Sequence, residues 1–547
     1  MAEQEMNQQP VIFLSEGSRR VKGRDAQRIN ILIAKAVANA VKSTLGPKGM
    51  DKMIVDELGD VTISNDGATI LSEMSIEHPA GKMMVEVAKT QDAEVGDGTT
   101  TAVVIAGGLL ERAEKLLDDE IHPSVIVNGY RLAAEKAKEI YASISDPVKI
   151  SDIKTLEDIA VTAMTGKSAD GAPDLAKLIV KAVTQIAEES EGKITIDKDN
   201  IKLEKKSGAS LNDSELVQGI LIDKEVVHSG MPKKIENAKI ALVDAAFEIK
   251  GPETDTKISI TDPEQLQSFL DQEEKILRKM VQTVKDSGAN VLICQKGIDD
   301  VAQHFLAKEQ ILTVRRVKKS DMDALARATG AKMVSRINDL ASEHLGKAKQ
   351  VIERKIAGDS MVFVEGCKNP KAVSLLVRGG SEHVVDEAER AVHDAIGAVS
   401  SALKAGKILT GGGSCEIEVA QKLKQYAKTV GGREQLAIEA FAETLEIIPR
   451  TLAETAGMNP LDALVELRSK HSTAGNKDLG VDVYKGKVEN MKIKKVFEPL
   501  SVKTQAVTSA SEVAEMLLRI DDIIAGSSKS RGMPQMPHGG GMDGMDM

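Results

Sequence analysis

The sequence predicts a multidomain protein of the α and α/β classes, with a mainly helical domain built from both ends of the chain. Helical periodicity dominates about the first 150 residues and most of residues 381–457. Between them, short β-like runs alternate with helical stretches. A length of 547 residues fits about three to four domains of ~150 residues each.

The N-terminal part is predicted to begin with an amphipathic helix over residues 25–45, whose apolar stripe includes Leu32, Val37 and Val41. This helix ends at Leu-Gly-Pro, a typical stop signal. Two short strands, 53–55 and 61–63, follow around a turn and lead into an Asn-Asp-Gly turn. Further helices are predicted at residues 80–92, 98–118 and 128–143.

The middle of the chain is predicted to hold a parallel α/β unit. Its strands are expected at 291–294, 311–314 and 332–334, and its helices at 298–308 and 320–329. Before this unit, a polar connection leads into a long amphipathic helix, which we expect to project from the unit. Its apolar stripe comprises Leu266, Phe269, Leu270, Leu277, Met280, Val281 and Val284.

The C-terminal part is again helical, with interruptions at the glycines 411–413 and 431–432. Short β-like runs are expected at 480–484 and 496–499. The tail from residue 526 to the end is rich in Gly, Met, Ser and Pro. Such a composition cannot offset the entropy of ordering, so the tail is predicted to be disordered.

Composition excludes several classes of protein. With 72 Lys and Arg against 83 Asp and Glu, the net charge of −11 does not suit binding to nucleic acid through a basic surface. The cysteines Cys294, Cys367 and Cys415 lie far apart and indicate neither a disulfide framework nor a zinc site. The N-terminus lacks the features of a signal peptide, and no apolar run suggests a transmembrane helix. We therefore expect a cytoplasmic protein.

The most informative motif is Gly-Asp-Gly-Thr-Thr-Thr at residues 96–101, directly before a predicted helix. Small residues, backbone N–H groups at a helix start and three hydroxyls suit a phosphate cradle. A carboxylate beside phosphates needs a cation between them, so Asp97 is interpreted as a Mg²⁺ ligand. The alternative, at about even odds on the motif alone, is that Asp97 and Thr99 only cap the helix.

Other motifs give weaker signals. The sequence Thr-Gly-Lys-Ser at 165–168 mimics the end of a Walker A loop, but the required first glycine is replaced by Val161. Lys167 alone is more often a solvated lysine, and the glycine loops at 45–49 and 411–413 are more often helix stops. Neither a zincin helix nor a nucleophile elbow is present.

Three aspartates also have ordinary explanations. Asp60 and Asp66 flank predicted turns and could be turn residues. Asp394 lies in a predicted helix among alanines and valines, which is unusual for a carboxylate. Its ordinary role would be an i, i+4 ion pair with Arg390, worth a few tenths of a kcal/mol if exposed.

Taken together and in order, these motifs resemble those of the group II chaperonins, in particular the archaeal thermosome type related to the eukaryotic cytosolic chaperonin. The resemblance rests on Leu-Gly-Pro-Lys-Gly-Met-Asp-Lys at 45–52, Asn-Asp-Gly at 65–67, the motif at 96–101, the glycines 411–413 and the Gly/Met-rich tail. It extends over about residues 17–526.

The resemblance implies three domains, two of them discontinuous. The equatorial ATPase domain would comprise residues 1–147 and 405–526, and the intermediate domain residues 148–219 and 371–404. The apical substrate domain would comprise residues 220–370, with a lid protrusion at about 246–286. Residues 527–547 would form the disordered tail.

The resemblance also implies a site for ATP and Mg²⁺. Asp97 would bind the metal, Asp394 and Asp60 would activate or position the attacking water, and Lys167 would sense the γ-phosphate. The remaining nucleotide-binding residues would be Leu45, Gly46, Pro47, Asp66, Gly67, Gly98, Thr99, Thr100, Thr101 and, around the adenosine, Gly412, Asp482 and Glu498. Phosphoryl transfer requires these elements, namely charge neutralisation and an oriented water.

The function implied is an ATP-dependent chaperone that forms a double ring, homo- or hetero-oligomeric, and encloses non-native polypeptides behind its built-in lid. No separate lid protein, membrane or specific nucleic acid is expected as a partner. Two alternatives remain at this point, a nucleotide-gated scaffolding oligomer and a small-molecule kinase. The kinase is disfavoured because no acceptor site can be identified.

Overall fold

The computed structural model describes residues 19–56, 58–167, 173–249, 263–368, 370–473 and 475–525. The predicted disordered tail and residues 250–262 of the predicted protrusion lie outside the described residues. The helices of the described part, in chain order, are α1 Arg24–Lys42, α2 Gly67–Glu73, α3 Pro79–Val95, α4 Thr99–Asp118, α5 Pro123–Ile144, α6 Ile153–Met164, α7 Pro173–Ile186, α8 Pro263–Asp286, α9 Asp300–Lys308, α10 Lys319–Thr329, α11 Glu382–Ala405, α12 Ser414–Val430, α13 Glu434–Leu445, α14 Ile447–Thr455, α15 Pro460–His471 and α16 Leu500–Leu518.

The strands form several small sheets and one sheet of six strands. In chain order they are β1 Arg19–Lys22, β2 Lys52–Val55, β3 Val61–Ser64, β4 Asp146–Pro147, β5 Glu188–Ser190, β6 Lys193–Thr195, β7 Ile201–Ser207, β8 Glu215–Val217, β9 Gly219–Ile222, β10 Lys234–Val243, β11 Val291–Cys294, β12 Leu312–Val314, β13 Gly346–Ile356, β14 Asp359–Glu365, β15 Val373–Gly379, β16 Lys407–Thr410, β17 Leu479–Asp482, β18 Lys487–Asn490, β19 Phe497–Pro499 and β20 Asp522–Ala525.

The largest hydrophobic core is shared by the two ends of the chain. Helices α1, α3, α4 and α5 from the first part pack with α12, α13 and α16 from the last part. Helix α4 lies at the centre, and its residues from Thr99 to Leu110 are all buried. The N-terminus of α4 is therefore fixed from several sides, which is what a precise binding site requires.

A second core lies between residues 148–201 and 373–408. There α7 and α11 pack against a three-stranded sheet in the order β7-β15-β8, and α6 packs against α7 and α11. Helix α11 has 24 residues, about 36 Å at 1.5 Å per residue. It also contacts α3 and α16 of the first core, so it connects the two cores.

The six-stranded sheet has the order β12-β11-β10-β13-β14-β9. Only β10, β11 and β12 run parallel, whereas β13, β14 and β9 pair antiparallel. The predicted parallel unit is thus one half of a mixed sheet. The strand predicted at 332–334 is wrong, because only Val334 forms an isolated bridge, to Val243.

The predicted fold class is confirmed, and so are most of the predicted helices. In α1, however, the buried face includes Ile31, and Leu32 is 66% exposed, so the apolar stripe was assigned partly to the wrong face. Within the described residues, no helix has the length and apolar character needed to cross a membrane.

The long amphipathic helix predicted before the α/β unit is α8. Its C-terminal half buries Leu277, Val281 and Val284 in a core that also includes α9. Phe269 and Leu270 in its N-terminal half remain exposed, and the side chain of Leu266 lies outside the described part. The apolar stripe thus serves local packing at one end and faces solvent at the other.

Candidate active site

A cavity of about 540 Å³ opens beside the N-terminus of α4. Its walls come from both halves of the first core and from the loop after α6. Most of the predicted site residues line it, namely Leu45, Gly46, Pro47, Asp66, Asp97, Gly98, Thr99, Thr100, Thr101, Lys167, Gly412, Asp482 and Glu498. Gly67, Asp60 and Asp394 are not part of its lining.

The loop between α3 and α4 is built from glycines in the left-handed region. Gly96 ends α3 with φ 71°, and Gly98 precedes α4 with φ 78°. Among the described residues, no side chain caps the first turn of α4, so the helix-capping alternative does not describe this terminus. Its backbone N–H groups and the hydroxyls of Thr99, Thr100 and Thr101 border the cavity, as a site for phosphate groups requires.

Asp97 projects from this loop into the cavity. Its carboxylate accepts a hydrogen bond from the Gly98 N–H at 2.7 Å. The buried Gln91 amide donates to the Asp97 carbonyl at 2.8 Å and to the Val502 carbonyl at 3.1 Å, which ties the loop to α16. Burial raises the pKa of the Asp97 carboxyl above its ordinary value, and Lys167 opposes this rise.

Asp66 connects the start of α2 to the start of α4. One carboxylate oxygen accepts hydrogen bonds from the Thr69 N–H at 2.8 Å and the Thr69 hydroxyl at 2.9 Å. The other accepts the Thr99 hydroxyl at 2.9 Å. Burial would raise the pKa of Asp66, but Lys167 and these hydrogen bonds lower it below its ordinary value. Asp66 therefore presents a fixed, ionised carboxylate.

Gly67 contributes through packing. A Cβ atom at this position would lie 2.7 Å from the Thr100 hydroxyl oxygen and 2.9 Å from the Thr100 nitrogen. Only glycine lets α2 approach the first turn of α4 this closely. Its role is to bring Asp66 close to the first turn of α4.

Lys167 and Asp394 form an ion pair at the edge of the cavity. Their side chains are 14% and 10% exposed. Burial raises the pKa of the Asp394 carboxyl well above its usual range, with Lys167 opposing the rise. Burial alone would lower the pKa of Lys167, but Asp394, Asp97 and Asp66 raise it above its ordinary value. One ammonium group thus lies among three carboxylates.

This donor set fits a divalent cation. Oxygen atoms are the ligands that Mg²⁺ prefers, and the carboxylate-bearing residues Asp66 and Asp97 both line the cavity at the start of α4. Carboxylates this close to the start of α4 would repel phosphate groups bound there unless a cation lay between them.

The ordinary explanation for Asp394 fails, because no pair with Arg390 forms. Arg390 instead pairs with Glu387 at 2.8 Å and donates to the Ile63 carbonyl at 3.1 Å. The latter contact joins α11 to β3, three residues before Asp66.

The structure does not bring Asp60 to the cavity. This residue lies in the exposed turn of the β2–β3 hairpin. Its N–H donates to the Asp56 carboxylate at 2.8 Å, and its carbonyl accepts the Asp56 N–H at 3.1 Å. Its backbone hydrogen bonds thus stabilise the turn. Asp60 and Asp66 both flank turns in the sequence, and only the tertiary structure distinguishes the one that reaches α4.

On the far side of the cavity, Gly412 and Asp482 are held by backbone contacts. The Val481 N–H donates to the Gly412 carbonyl at 2.8 Å. The Asp482 carboxylate accepts the N–H groups of Tyr484 and Lys485 at 3.0 and 3.1 Å. Burial would raise the pKa of Asp482, but these bonds and Lys494 lower it.

Two residues that the sequence analysis did not select belong to the site. Asn65 donates from its amide to the Gly166 carbonyl at 2.6 Å and so holds the loop that carries Lys167. Lys503 lines the cavity beside Glu498. Two features of the sequence could have indicated these residues. Asn65 is adjacent to Asp66, and Lys503 interrupts the apolar pattern of the segment that forms α16.

Comparison with known proteins matches residues 37–528 to the TCP-1/cpn60 chaperonin family. A thermosome subunit of Methanopyrus kandleri is 61% identical over 522 residues, which cover 95% of this chain and 96% of that protein. A thermosome subunit of Pyrococcus horikoshii is 61% identical over 520 residues, covering 95% and 94%. The thermosome subunit beta of Archaeoglobus fulgidus is 60% identical over 538 residues, covering 97% and 98%.

Proposed function

Because the chain belongs to the TCP-1/cpn60 chaperonin family, we propose that it hydrolyses Mg²⁺-ATP in the cavity beside α4 and uses this reaction to drive the folding of enclosed polypeptides. The observation that carries the proposal is the convergence of an uncapped helix N-terminus, the carboxylates of Asp66 and Asp97 and the ammonium group of Lys167 on this cavity, with Asp394 paired to Lys167 at its edge. Phosphoryl transfer uses positioning and electrostatic stabilisation of this kind.

The phosphates of ATP would lie at the start of α4. The backbone N–H groups of its first turn and the hydroxyls of Thr100 and Thr101 would donate hydrogen bonds to them, while the Thr99 hydroxyl donates to Asp66. Asp97 would hold Mg²⁺, which neutralises phosphate charge when bound. Gly46 and Pro47 would border the nucleotide, and Gly412, Asp482 and Glu498 would face its nucleoside.

Asp394 and Asp66 would orient the attacking water. The water oxygen forms a bond to the γ-phosphorus while the bond to the bridging oxygen of ADP breaks, and Asp394 accepts the water proton. Asp66 is held by three hydrogen bonds, so it suits positioning. In this assignment Asp66 takes the place that the resemblance gave to Asp60.

Lys167 would report the state of the nucleotide. In the structure it pairs with Asp394, and this pair would block the carboxylate as a proton acceptor. A γ-phosphate would compete for the ammonium group and release Asp394. Since Lys167 follows α6 and Asp394 lies in α11, the exchange would couple hydrolysis to movement of the second core against the first.

Ring assembly would use the β2–β3 hairpin. It forms a sheet of only two strands, and Met53, Val55 and Leu58 on it are exposed. A two-stranded hairpin is marginally stable alone, and an exposed apolar edge indicates an interface. We assign it to contact a neighbouring subunit of the same family.

Client enclosure would use α8, which exposes Phe269 and Leu270 in its N-terminal half and follows residues 250–262 in the sequence. These apolar groups would contact neighbouring lids in a closed ring and non-native chains in an open one.

A refolding assay tests the proposed function. The purified particle is mixed with a chemically denatured client that aggregates on dilution, with Mg²⁺ and either ATP or ADP. We expect suppressed aggregation in both cases and recovery of native client with ATP alone. Steady ATP hydrolysis without any recovery of client would contradict the folding function and leave a scaffolding role.

A further inference from the structure

A buried triad of charged side chains lies behind one wall of the cavity. The Lys503 ammonium group is 2.7 Å from a Glu416 carboxylate oxygen and 2.5 Å from a Glu498 carboxylate oxygen. The side chains of Lys503 and Glu416 are 5% and 1% exposed, and that of Glu498 is 21% exposed. The triad joins the first turn of α12, strand β19 and the first turn of α16.

Only two of the three side chains of the triad border the cavity. Glu498 and Lys503 line the cavity, whereas Glu416 lies behind them and also accepts a hydrogen bond from the Cys415 thiol at 3.2 Å. The second oxygen of Glu498 is confined by Gly411, at which a Cβ atom would lie 2.7 Å away. Glu498 is thus held between Lys503 and a glycine backbone, with one edge towards the cavity.

Ionised groups are expensive to bury and remain charged only when their partners are in place. Burial raises the pKa of the Glu498 carboxyl, and Lys503 is the main group that opposes this rise. Without Lys503, the carboxylates of Glu416 and Glu498 would lie close together, away from water and with no cation between them. Glu498 would then bind a proton. A protonated carboxyl loses much of its capacity to accept hydrogen bonds.

We propose that Lys503 is a positioning residue that keeps Glu498 as a charged hydrogen-bond acceptor on the cavity wall, and that this acceptor selects nucleotides by a donor group of the nucleoside. The inference rests on the proposed binding of ATP in this cavity. The donor is a ribose hydroxyl or the exocyclic amino group of the base, and nucleotide analogues separate the two.

The test measures binding by calorimetry, with Mg²⁺, of four compounds: ATP, 2′-deoxy-ATP, 3′-deoxy-ATP and the purine ribonucleoside triphosphate that lacks the amino group. The unmodified chain should bind the analogue that lacks the relevant donor roughly 10- to 100-fold more weakly than ATP, as expected for a hydrogen bond to a charged group. In Lys503→Met this ratio should fall to near one, while Lys503→Arg should retain it.

A matched control lies in the same core, away from the cavity. Arg468 donates to the buried Glu446 at 3.0 Å, with which Lys424 also pairs, so Arg468→Met removes one of two cations from a buried carboxylate. It should lower the melting temperature without changing the nucleotide ratios. If Lys503→Met does not fold, the double variant Glu416→Gln with Lys503→Met removes one charge of each sign and should also lose the discrimination.

Equal weakening of all four nucleotides in the Lys503 variants would overturn this inference alone, because it would indicate a purely structural lysine. Failure of the unmodified chain to bind Mg²⁺-ATP would overturn the proposed function together with it. No discrimination among the four compounds by the unmodified chain would also overturn the inference, with the ATP site left intact.

Discussion

At the scale of single residues, three aspartates around one lysine acquire different properties from their surroundings. Hydrogen bonds and Lys167 lower the pKa of Asp66, whereas burial raises the pKa of Asp97 and Asp394. A low pKa suits a fixed anionic group, and a raised pKa suits a carboxyl that takes up a proton. The proposed roles of Asp66 and Asp394 follow this difference.

The pair Asp66 and Asp60 provides a matched test. Asp66→Ala should slow ATP hydrolysis by ~10²-fold or more, the range typical of losing a catalytic group, because the water loses one of its positioning carboxylates. Asp60→Ala, in the exposed hairpin turn, should leave turnover within about twofold. Steady-state phosphate release measures both, and the reverse ranking would restore Asp60 as the catalytic residue.

Asp97→Ala should weaken the binding of Mg²⁺-ATP by roughly tenfold or more, because the phosphates lose an interaction through a charged ligand. Calorimetry with Mg²⁺ and with a chelator in its place separates the metal-dependent part of the affinity. An unchanged affinity for Mg²⁺-ATP would mean that Asp97 serves only the loop, through its bond to the Gly98 N–H.

Residues of the phosphate loop could be predicted from sequence because their role is local. Gly98 and the three threonines are consecutive, and the helix that follows them has a clear period. Asp66, which only the family resemblance indicated, and Lys503, which no pattern indicated, each also depend on a partner far along the chain, Thr99 for Asp66 and Glu416 for Lys503. No local pattern indicates such partners.

At the scale of elements, the packing of α11 against both cores determines where Asp394 lies relative to the site. Gly397 packs against Gly96 of the phosphate loop, and a Cβ atom on Gly397 would lie 2.7 Å from the Gly96 Cα atom and 3.0 Å from the Val95 carbonyl oxygen. These neighbours are backbone atoms that cannot rotate away. The position of Asp394, one turn earlier on α11, therefore depends on this close contact.

Gly397→Ala should push α11 away from the loop and slow hydrolysis by roughly tenfold or more, since small displacements of catalytic groups are costly. Affinity for ATP should change much less. Gly380→Ala is the control, because the space around Gly380, just before α11, is open. Phosphate release that is equally fast in both variants would show that the helix tolerates the shift.

The elements themselves were predicted well where periodicity was long, as for α3, α4 and α5. The order of strands in the six-stranded sheet was not predicted, because the pairing of β10 with β13 joins residues more than a hundred positions apart. Burial on α1 was partly misassigned because Ile31, Leu32 and Ile33 are adjacent apolar residues, and only packing against α4 decides between them.

At the scale of the whole molecule, the chain passes through three regions with separate cores and returns to the first. Along this path, the site lies next to the junction between the first and second cores. The exposed end of α8 belongs to the third region. Movement of α11 relative to α4 is therefore the simplest route by which nucleotide could act on the distant region.

Deletion of residues 252–274 should leave the ring and its ATP hydrolysis largely intact, because the buried residues of α8 begin at Leu277. It should abolish the protection of the chamber from protease that nucleotide induces in the full chain. Limited proteolysis with and without ATP measures this protection. A truncated particle that still becomes resistant would require a separate capping partner.

The most direct test of the central claim is a parallel measurement of ATP binding and ATP hydrolysis in Asp394→Ala. The variant should bind Mg²⁺-ATP with near-normal affinity by calorimetry, because Asp394 is not part of the cavity lining. Its turnover should fall by ~10²-fold or more, because the attacking water loses its proton acceptor. Near-normal turnover would contradict the account.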